Sequence, residues 1–376
     1  MNLINKKNAR FNVSSVLFGT LASFAFILFL IRSDIAIDYM KKGLKLCART
    51  VIPSLFPFMV ISELLVSSGV GNRLGRLVSK PIRMIFGVSE GCACAFILGA
   101  ICGFPIGTKT LVSMLDRGEL TAREASKALI FCNNPGSAFV ISAVGVSLFG
   151  SFRLGVMLYT CVIMSAIAVG AMGRFFNNTN AADFALQNSK TRKTATRGIS
   201  ENFTAAVQSS AASMLTVCAY VAFFSSFVGC LGAILEGVGA PQFLTAAFFG
   251  FFELSSGVAM SAELSPISSI LFCAAILGWS GLSVHFQVMA VSAGRGISYA
   301  PYFWAKAAQG GICATFMGIA LKLFPFSEDV FAKMQTSVSI SETYSNAAFV
   351  CCTFLVAGII GIFTGFICEK SRKKEG

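Results

Sequence analysis

Long apolar runs separated by short polar ones dominate this chain. A helix needs about 20 residues to traverse the roughly 30 Å hydrocarbon core of a bilayer. Val13–Ile31 carries no charge and is dense in Phe, Leu and Ile. Residues 153–176, 208–235, 303–324 and 346–368 read as further spans, and 51–69 as another that contains Glu63. Residues 32–50 follow the first span as an amphipathic interfacial segment whose Ile35, Tyr39, Lys42 and Cys47 do not share one face. Residues 177–202 are polar and basic and read as a linker between two halves. Residues 325–345 form a second polar loop, acidic at Glu328, Asp329 and Glu342. The pattern divides the chain into 1–50 (first helix and interfacial segment), a first repeat 51–176, the linker 177–202, a second repeat 203–368 and a basic tail 369–376.

The repeat reading comes from matches in order. Phe86-Gly87-x-x-Glu90 recurs as Phe249-Gly250-x-x-Glu253, Ile97-Leu98-Gly99 as Ile276-Leu277-Gly278, Gly103 as Gly281, and Arg117-Gly118 as Arg295-Gly296. In each half, two apolar helices too short to span singly flank a Gly-rich tip, at 92–115 and 268–291, which predicts a re-entrant hairpin. An interrupted span follows, broken at 132–137 in the first half and at Gln309-Gly310-Gly311 in the second. Three crossings separate the starts of the halves, so they are inverted, an arrangement common in secondary transporters. The predicted fold is an all-α polytopic membrane bundle of two inverted repeats, each with a re-entrant hairpin and an unwound transmembrane helix.

Composition agrees with a bilayer as solvent. Of 376 residues 55% are hydrophobic and 12% charged, with a mean hydropathy of +0.74, against about 25% charged in soluble domains. The formal charge of +13 sits at span edges and in loops, as membrane flanks do. No basic stretch interleaves with aromatics as in a single-strand nucleic-acid binder. Lys6, Lys7 and Arg10 precede the first span, and no small-residue cleavage site follows Ile31, so it reads as a retained helix. That cluster and Lys370, Arg372, Lys373 and Lys374 each assign their terminus to the cytoplasm, which conflicts with seven crossings. The thirteen cysteines and single His285 make no metal pattern. No P-loop, Gly-x-Ser-x-Gly or His-Glu-x-x-His is present, so neither an enzyme nor an ATP-driven pump is expected. No cofactor is expected beyond a coupling ion, Na+ or H+.

Irregular backbone survives at membrane depth only where protein buries it or a wet cavity lies beside it. Four places qualify. At Gly103-Phe104-Pro105-Ile106-Gly107-Thr108-Lys109, a helix starting near Gly107 offers free N–H groups, a hydroxyl and an ammonium to an anion. At Cys132-Asn133-Asn134-Pro135-Gly136-Ser137, two amides can both donate and accept. The third is Gly278-Trp279-Ser280-Gly281-Leu282-Ser283-Val284-His285, with Ser280 and Ser283 as ligands, Trp279 as a stacking ring and His285 as a packing residue or a proton relay. The fourth is Gln309-Gly310-Gly311. Glu63, Glu90 and Glu253 are ionisable residues in apolar surroundings; for Glu90 and Glu253, hairpin capping and ion coupling are both open.

At the Asn133-Asn134-Pro135-Gly136 break and the Gly103-Phe104-Pro105-x-Gly107 tip, the sequence resembles the YlbJ- and SpoVV-like sporulation integral membrane proteins, which carry a nucleoside-recognition, or Gate, domain. The resemblance covers about residues 15–370, with Ser137 as a point of departure. It implies transport of dipicolinic acid across the outer forespore membrane of a spore-forming bacterium, and an architecture similar to concentrative nucleoside transporters, with two hairpins and two unwound helices around a central site. Dipicolinate is a small planar dianion, and Lys109, helix N-termini and Asn amides suit carboxylates. The expected partners are that anion, the lipid bilayer and, as an open possibility, further copies of the chain. A neutral-solute carrier of the same fold and a non-transporting sporulation scaffold are the competing expectations.

Overall fold

The computed structural model describes residues 13–68, 79–176 and 199–325, all of it helix, turn or loop without a strand. The terminal charge clusters, the span read at 346–368, linker residues 177–198 and the Glu90 side chain lie outside the described residues.

Helix α1 (Val13–Ile31) turns by 100° into α2 (Ser33–Leu46), and a π-wound turn, Cys47–Val51, leads to α3 (Ile52–Ser67). After α4 (Ser79–Phe86) come α5 (Glu90–Cys102), α6 (Ile106–Asp116), α7 (Ala122–Cys132), the π-wound α8 (Ala138–Leu148) and α9 (Phe152–Phe176). The second half runs through α10 (Ile199–Gly237), α11 (Gln242–Phe252), α12 (Leu254–Ser261), α13 (Pro266–Trp279), α14 (Gly281–Ser292) and α15 (Ala300–Leu323). Thus α10 begins inside the stretch read as linker.

Among the described residues, three helical stretches are long and apolar enough to cross a membrane: Phe152–Arg174, Ser200–Gly237 and Pro266–Ser292, or up to five if two bent pairs each count as one span. The protein is a polytopic helical membrane protein. Two expected spans fall short. Helix α3 has 16 residues, and α15 is long enough but carries Lys306 and Gln309 in its middle. The two peripheral spans are about half buried, whereas 89% of the Pro266–Ser292 window is inside the protein, so that span forms the centre.

The interfacial segment packs by a stripe that hydropathy does not mark. Ala36, Tyr39, Gly43 and Cys47 lie at helical spacing and turn inward along α2 and the start of the π-wound turn. Gly43 meets Ser225 and Gly229 meets the Tyr39 ring, each within 3.0 Å of where a Cβ would stand. The Ser226 hydroxyl donates to the Ala36 carbonyl.

Two helix pairs reverse direction sharply. A Cβ on Gly257 would lie 2.1 Å from the Gly250 Cα, and one on Gly99 would lie 3.0 Å from the Gly107 Cα. In a straight helix residues seven or eight apart are about 10–12 Å apart, so the chain folds back between them. The pairs are therefore α5–α6, with its tip at residues 103–105, and α11–α12, with its tip at Glu253.

This corrects the second half. The hairpin expected at 268–291 is instead a single 27-residue span, α13–α14, broken at Ser280, which has φ of +76°. The break expected at Gln309-Gly310-Gly311 is continuous helix. Gly310 serves close approach there: a Cβ would lie 3.0 Å from the Ala275 carbonyl oxygen of α13. The same order of elements then occurs twice: a reversing pair, a broken helix and a long helix, as α5–α6, α7/α8, α9 and again as α11–α12, α13/α14, α15. Ile97-Leu98-Gly99 thus belongs with α11 rather than with Ile276-Leu277-Gly278.

Local signals set these boundaries. Pro266 opens α13 at a position where a missing N–H costs nothing. Thr121 and Glu124 form a reciprocal capping box on α7, Glu124 N–H to Thr121 Oγ1 at 3.2 Å and Thr121 N–H to Glu124 Oε2 at 3.3 Å. Thr121→Ala is expected to cost about 1 kcal/mol, seen as a lowered thermal midpoint in detergent; an unchanged midpoint would show that α7 does not need this start. The turn after α14 lies against the end of α6 and the first turns of α7, tied by the Arg295–Asp116 ion pair at 3.0 Å and by the Ser298 N–H donating to Ser126 Oγ at 2.8 Å.

Candidate functional site

Each broken helix meets the tip of its own reversing pair. In the first half Gly103, with φ of +89°, lies against Gly136: a Cβ on Gly103 would stand 2.5 Å from the Gly136 nitrogen. In the second, a Cβ on Gly281 (φ of +77°) would stand 2.8 Å from the Leu254 nitrogen. Both contacts are backbone on backbone, which only glycine permits. Phe104, after which comes a cis Phe104-Pro105 peptide bond, packs against both large apolar clusters and joins the two halves of the core.

A reversal and a break both free backbone groups, and each freed group needs a partner in apolar surroundings. The end of α5 is met by Tyr159, whose hydroxyl donates to the Ala100 carbonyl at 2.8 Å, and by Ser137, which donates to the Ile101 carbonyl at 3.0 Å. The end of α11 is met by Trp279 Nε1, which donates to the Phe251 carbonyl at 2.9 Å. The end of α7 is met by Asn134 Nδ2 to the Phe131 carbonyl at 2.7 Å and by Lys306 Nζ to the Asn133 carbonyl at 3.2 Å. At the α13 break, Ser280 Oγ donates to the Leu277 carbonyl at 3.3 Å. His285 Nε2 faces the Trp279 carbonyl at 3.2 Å. A carbonyl only accepts, so Nε2 carries the hydrogen and Nδ1 accepts from the Tyr299 hydroxyl. His285 therefore has a structural partner on both nitrogens.

Asn133, Asn134, Lys306 and Gln309 form one enclosed polar set. Thr108 Oγ1 donates to Asn133 Oδ1 at 3.1 Å, and Asn133 Nδ2 donates to Tyr302 Oη at 2.9 Å. Lys306 Nζ donates to Gln309 Oε1 at 2.8 Å, and Gln309 Nε2 donates to Asn134 Oδ1 at 2.9 Å and to the Val162 carbonyl at 3.3 Å. Asn134, Lys306, Gln309 and Thr108 are fully buried. The sequence-derived candidates Thr108, Asn133, Asn134 and Gln309 thus come together. Lys306 and Tyr302 join them from outside that set of candidates. Their spacing holds the signal: Tyr302, Lys306 and Gln309 share one face of α15 at i, i+4 and i+7.

The remaining candidates are placed elsewhere. Lys109 leaves Thr108 on a different face of α6 and pairs with Glu63 at 3.5 Å and with Ser210 Oγ at 3.4 Å. Pro105 precedes the first residue of α6. Gly107 lies under the Cys132 carbonyl oxygen, 2.2 Å from where its Cβ would be. Glu253 sits at the α11–α12 tip and accepts from the N–H groups of Ser255 at 3.0 Å and Ser256 at 2.6 Å, at the N-terminus of α12. Ser283 Oγ and Gln287 Oε1 are buried one turn apart on α14 without a hydrogen-bond partner among the described residues. Among the described residues no cluster of His, Cys, Asp and Glu could hold a metal ion.

No family model and no solved structure matches the chain. Among curated proteins, the sporulation integral membrane protein YlbJ of Bacillus subtilis (strain 168) is 26% identical over 369 residues, which spans 88% of this chain and 90% of that protein. That relative is an integral membrane protein by name, in keeping with the long apolar helices here, and the chain is similar to it over most of its length.

Proposed function

We propose that the protein is a secondary carrier of a small anionic solute, with dipicolinate as that solute in a spore-forming bacterium and the outer forespore membrane as its site. The observation that carries this reading is the buried set Thr108, Asn133, Asn134, Lys306 and Gln309, built at a helix break beside a reversing pair. Irregular backbone and polar side chains are costly inside a membrane protein and mark solute paths. The twofold order of pair, broken helix and long helix supports a pair of inverted repeats, with the site between them, as in secondary transporters. The sporulation role of YlbJ supports the cellular setting. A sodium or proton gradient supplies the driving force in this reading. The Gate-domain assignment and assembly of further copies into an oligomer are parts of the same proposal.

A second reading, a carrier of a neutral solute such as a nucleoside, draws on one observation: Glu63 already balances Lys109. Dipicolinate flux into proteoliposomes, with and without an imposed gradient, separates the two. The anion reading expects saturable flux that Asn134→Ala abolishes while the variant still inserts. Dipicolinate flux absent under every gradient, together with saturable nucleoside flux, would establish the neutral reading instead.

A further inference from the structure

Lys306 is an unusual group among the described residues. Its ammonium is fully enclosed on α15, yet both of its acceptors are neutral: the Asn133 carbonyl at 3.2 Å and Gln309 Oε1 at 2.8 Å. No carboxylate pairs with it among the described residues, whereas Lys109, also buried, has Glu63 within 3.5 Å. An enclosed cation without an anion is unfavourable, and an ammonium has three hydrogens to give. The end of α7 contributes only the partial negative charge of a helix C-terminus. Neither acceptor is part of a continuing backbone ladder: Asn133 lies in the break after α7, and Gln309 offers a side-chain amide.

We propose that Lys306 is the cation that receives a carboxylate of the carried solute, and that in this closed arrangement the Gln309 amide oxygen and the Asn133 carbonyl stand in that carboxylate's place. Solute entry then exchanges two neutral acceptors for one charged one. The Gln309 amide is released towards Asn134, to which it already donates. This assignment rests on the anion-carrier reading. It makes a carboxylate, rather than a phosphate held by a run of backbone N–H groups, the recognised group, because the acceptors it replaces are two planar carbonyl oxygens at a single ammonium.

The test is equilibrium binding of pyridine-2,6-dicarboxylate to the purified full chain in detergent, read as ligand-induced stabilisation and by radiolabelled ligand. Three variants are compared, each checked for a monodisperse elution profile. Lys306→Met is expected to weaken binding about 30-fold or more, the usual consequence of truncating one partner of a buried charged hydrogen bond. Lys306→Arg, which keeps the charge, recovers part of it. Gln309→Glu places a carboxylate beside Lys306 permanently; it is expected to raise the thermal midpoint and weaken binding at once. A purely structural Lys306 would give the higher midpoint with unchanged affinity. If Lys306→Met does not fold, Gln309→Glu decides alone. Wild-type binding with unchanged affinity in Gln309→Glu overturns the Lys306 assignment and leaves the anion reading standing. No binding of the dicarboxylate by the wild type overturns both.

Discussion

Gly99→Ala is expected to leave almost no folded protein after extraction, the largest effect of a single added methyl group among the described glycines. The added Cβ would stand 1.8 Å from the Cys132 carbonyl oxygen, with the Gly107 Cα 3.0 Å away. Both obstacles are backbone, so no side chain can rotate to make room. The Cys132 carbonyl belongs to the last turn of α7, one residue before the break, and a Cβ on Gly107 would stand 2.2 Å from the same oxygen. Gly99 and Gly107 therefore form a two-sided seat in which the end of α7 rests between α5 and α6. Overpacking an adaptable core costs about 1–3 kcal/mol; a clash among three backbone segments exceeds that and reaches the range above about 4 kcal/mol that few substitutions attain. Gly19→Ala is the matched control. Nothing lies within 4 Å of its would-be Cβ on α1, and alanine is the better helix former by about 1 kcal/mol. Fluorescence-detected size exclusion should show a lost monodisperse peak for Gly99→Ala and a retained one for Gly19→Ala. A normal peak for Gly99→Ala would mean that α7 does not sit as described.

The seat also explains what can be read from the sequence and what cannot. Length and apolarity are enough for the helical class and for the bounds of α1 and α9, because crossing a bilayer fixes both. The Cys132-Asn133-Asn134-Pro135-Gly136-Ser137 break is legible because Pro and paired amides cannot continue a buried helix unnoticed. Gln309-Gly310-Gly311 misleads for a related reason. Two glycines lower helix propensity, but in a packed interior they also allow two helices to touch, and contact with α13 wins over propensity. The second reversal escapes the pattern because its tip, Glu253, has no Pro or Gly beside it; the glycines that permit it, Gly250 and Gly257, lie a turn away on either side. Lys306 escapes it too, because a single cation in an apolar run looks like a flank until the neighbouring helices are known to surround it.

Gln309→Leu is expected to destabilise the protein by about 3–5 kcal/mol, the range for breaking a buried charged contact from one side. It removes the 2.8 Å acceptor of Lys306 and the 2.9 Å donor to Asn134 Oδ1 together, leaving a fully buried ammonium with the Asn133 carbonyl alone. Lys306→Met by itself removes the charge and strands Gln309 Oε1 instead, a smaller loss of about 1–3 kcal/mol. The informative variant combines Gln309→Leu with Lys306→Met. The charge and its acceptor then vanish at once, and apolar side chains of similar size fill the space. Replacing both members of a buried polar pair is often neutral or stabilising, so the double variant should recover most of the loss caused by Gln309→Leu. Unfolding midpoints of the four proteins in one detergent give the coupling, which these losses set at about 3 kcal/mol or more; strictly additive losses would mean that the two residues do not act as a unit. Transport is expected to follow the opposite course, absent in the double variant although its stability returns. Recovered stability together with lost transport would mark this buried polar pair as held for binding rather than for the fold.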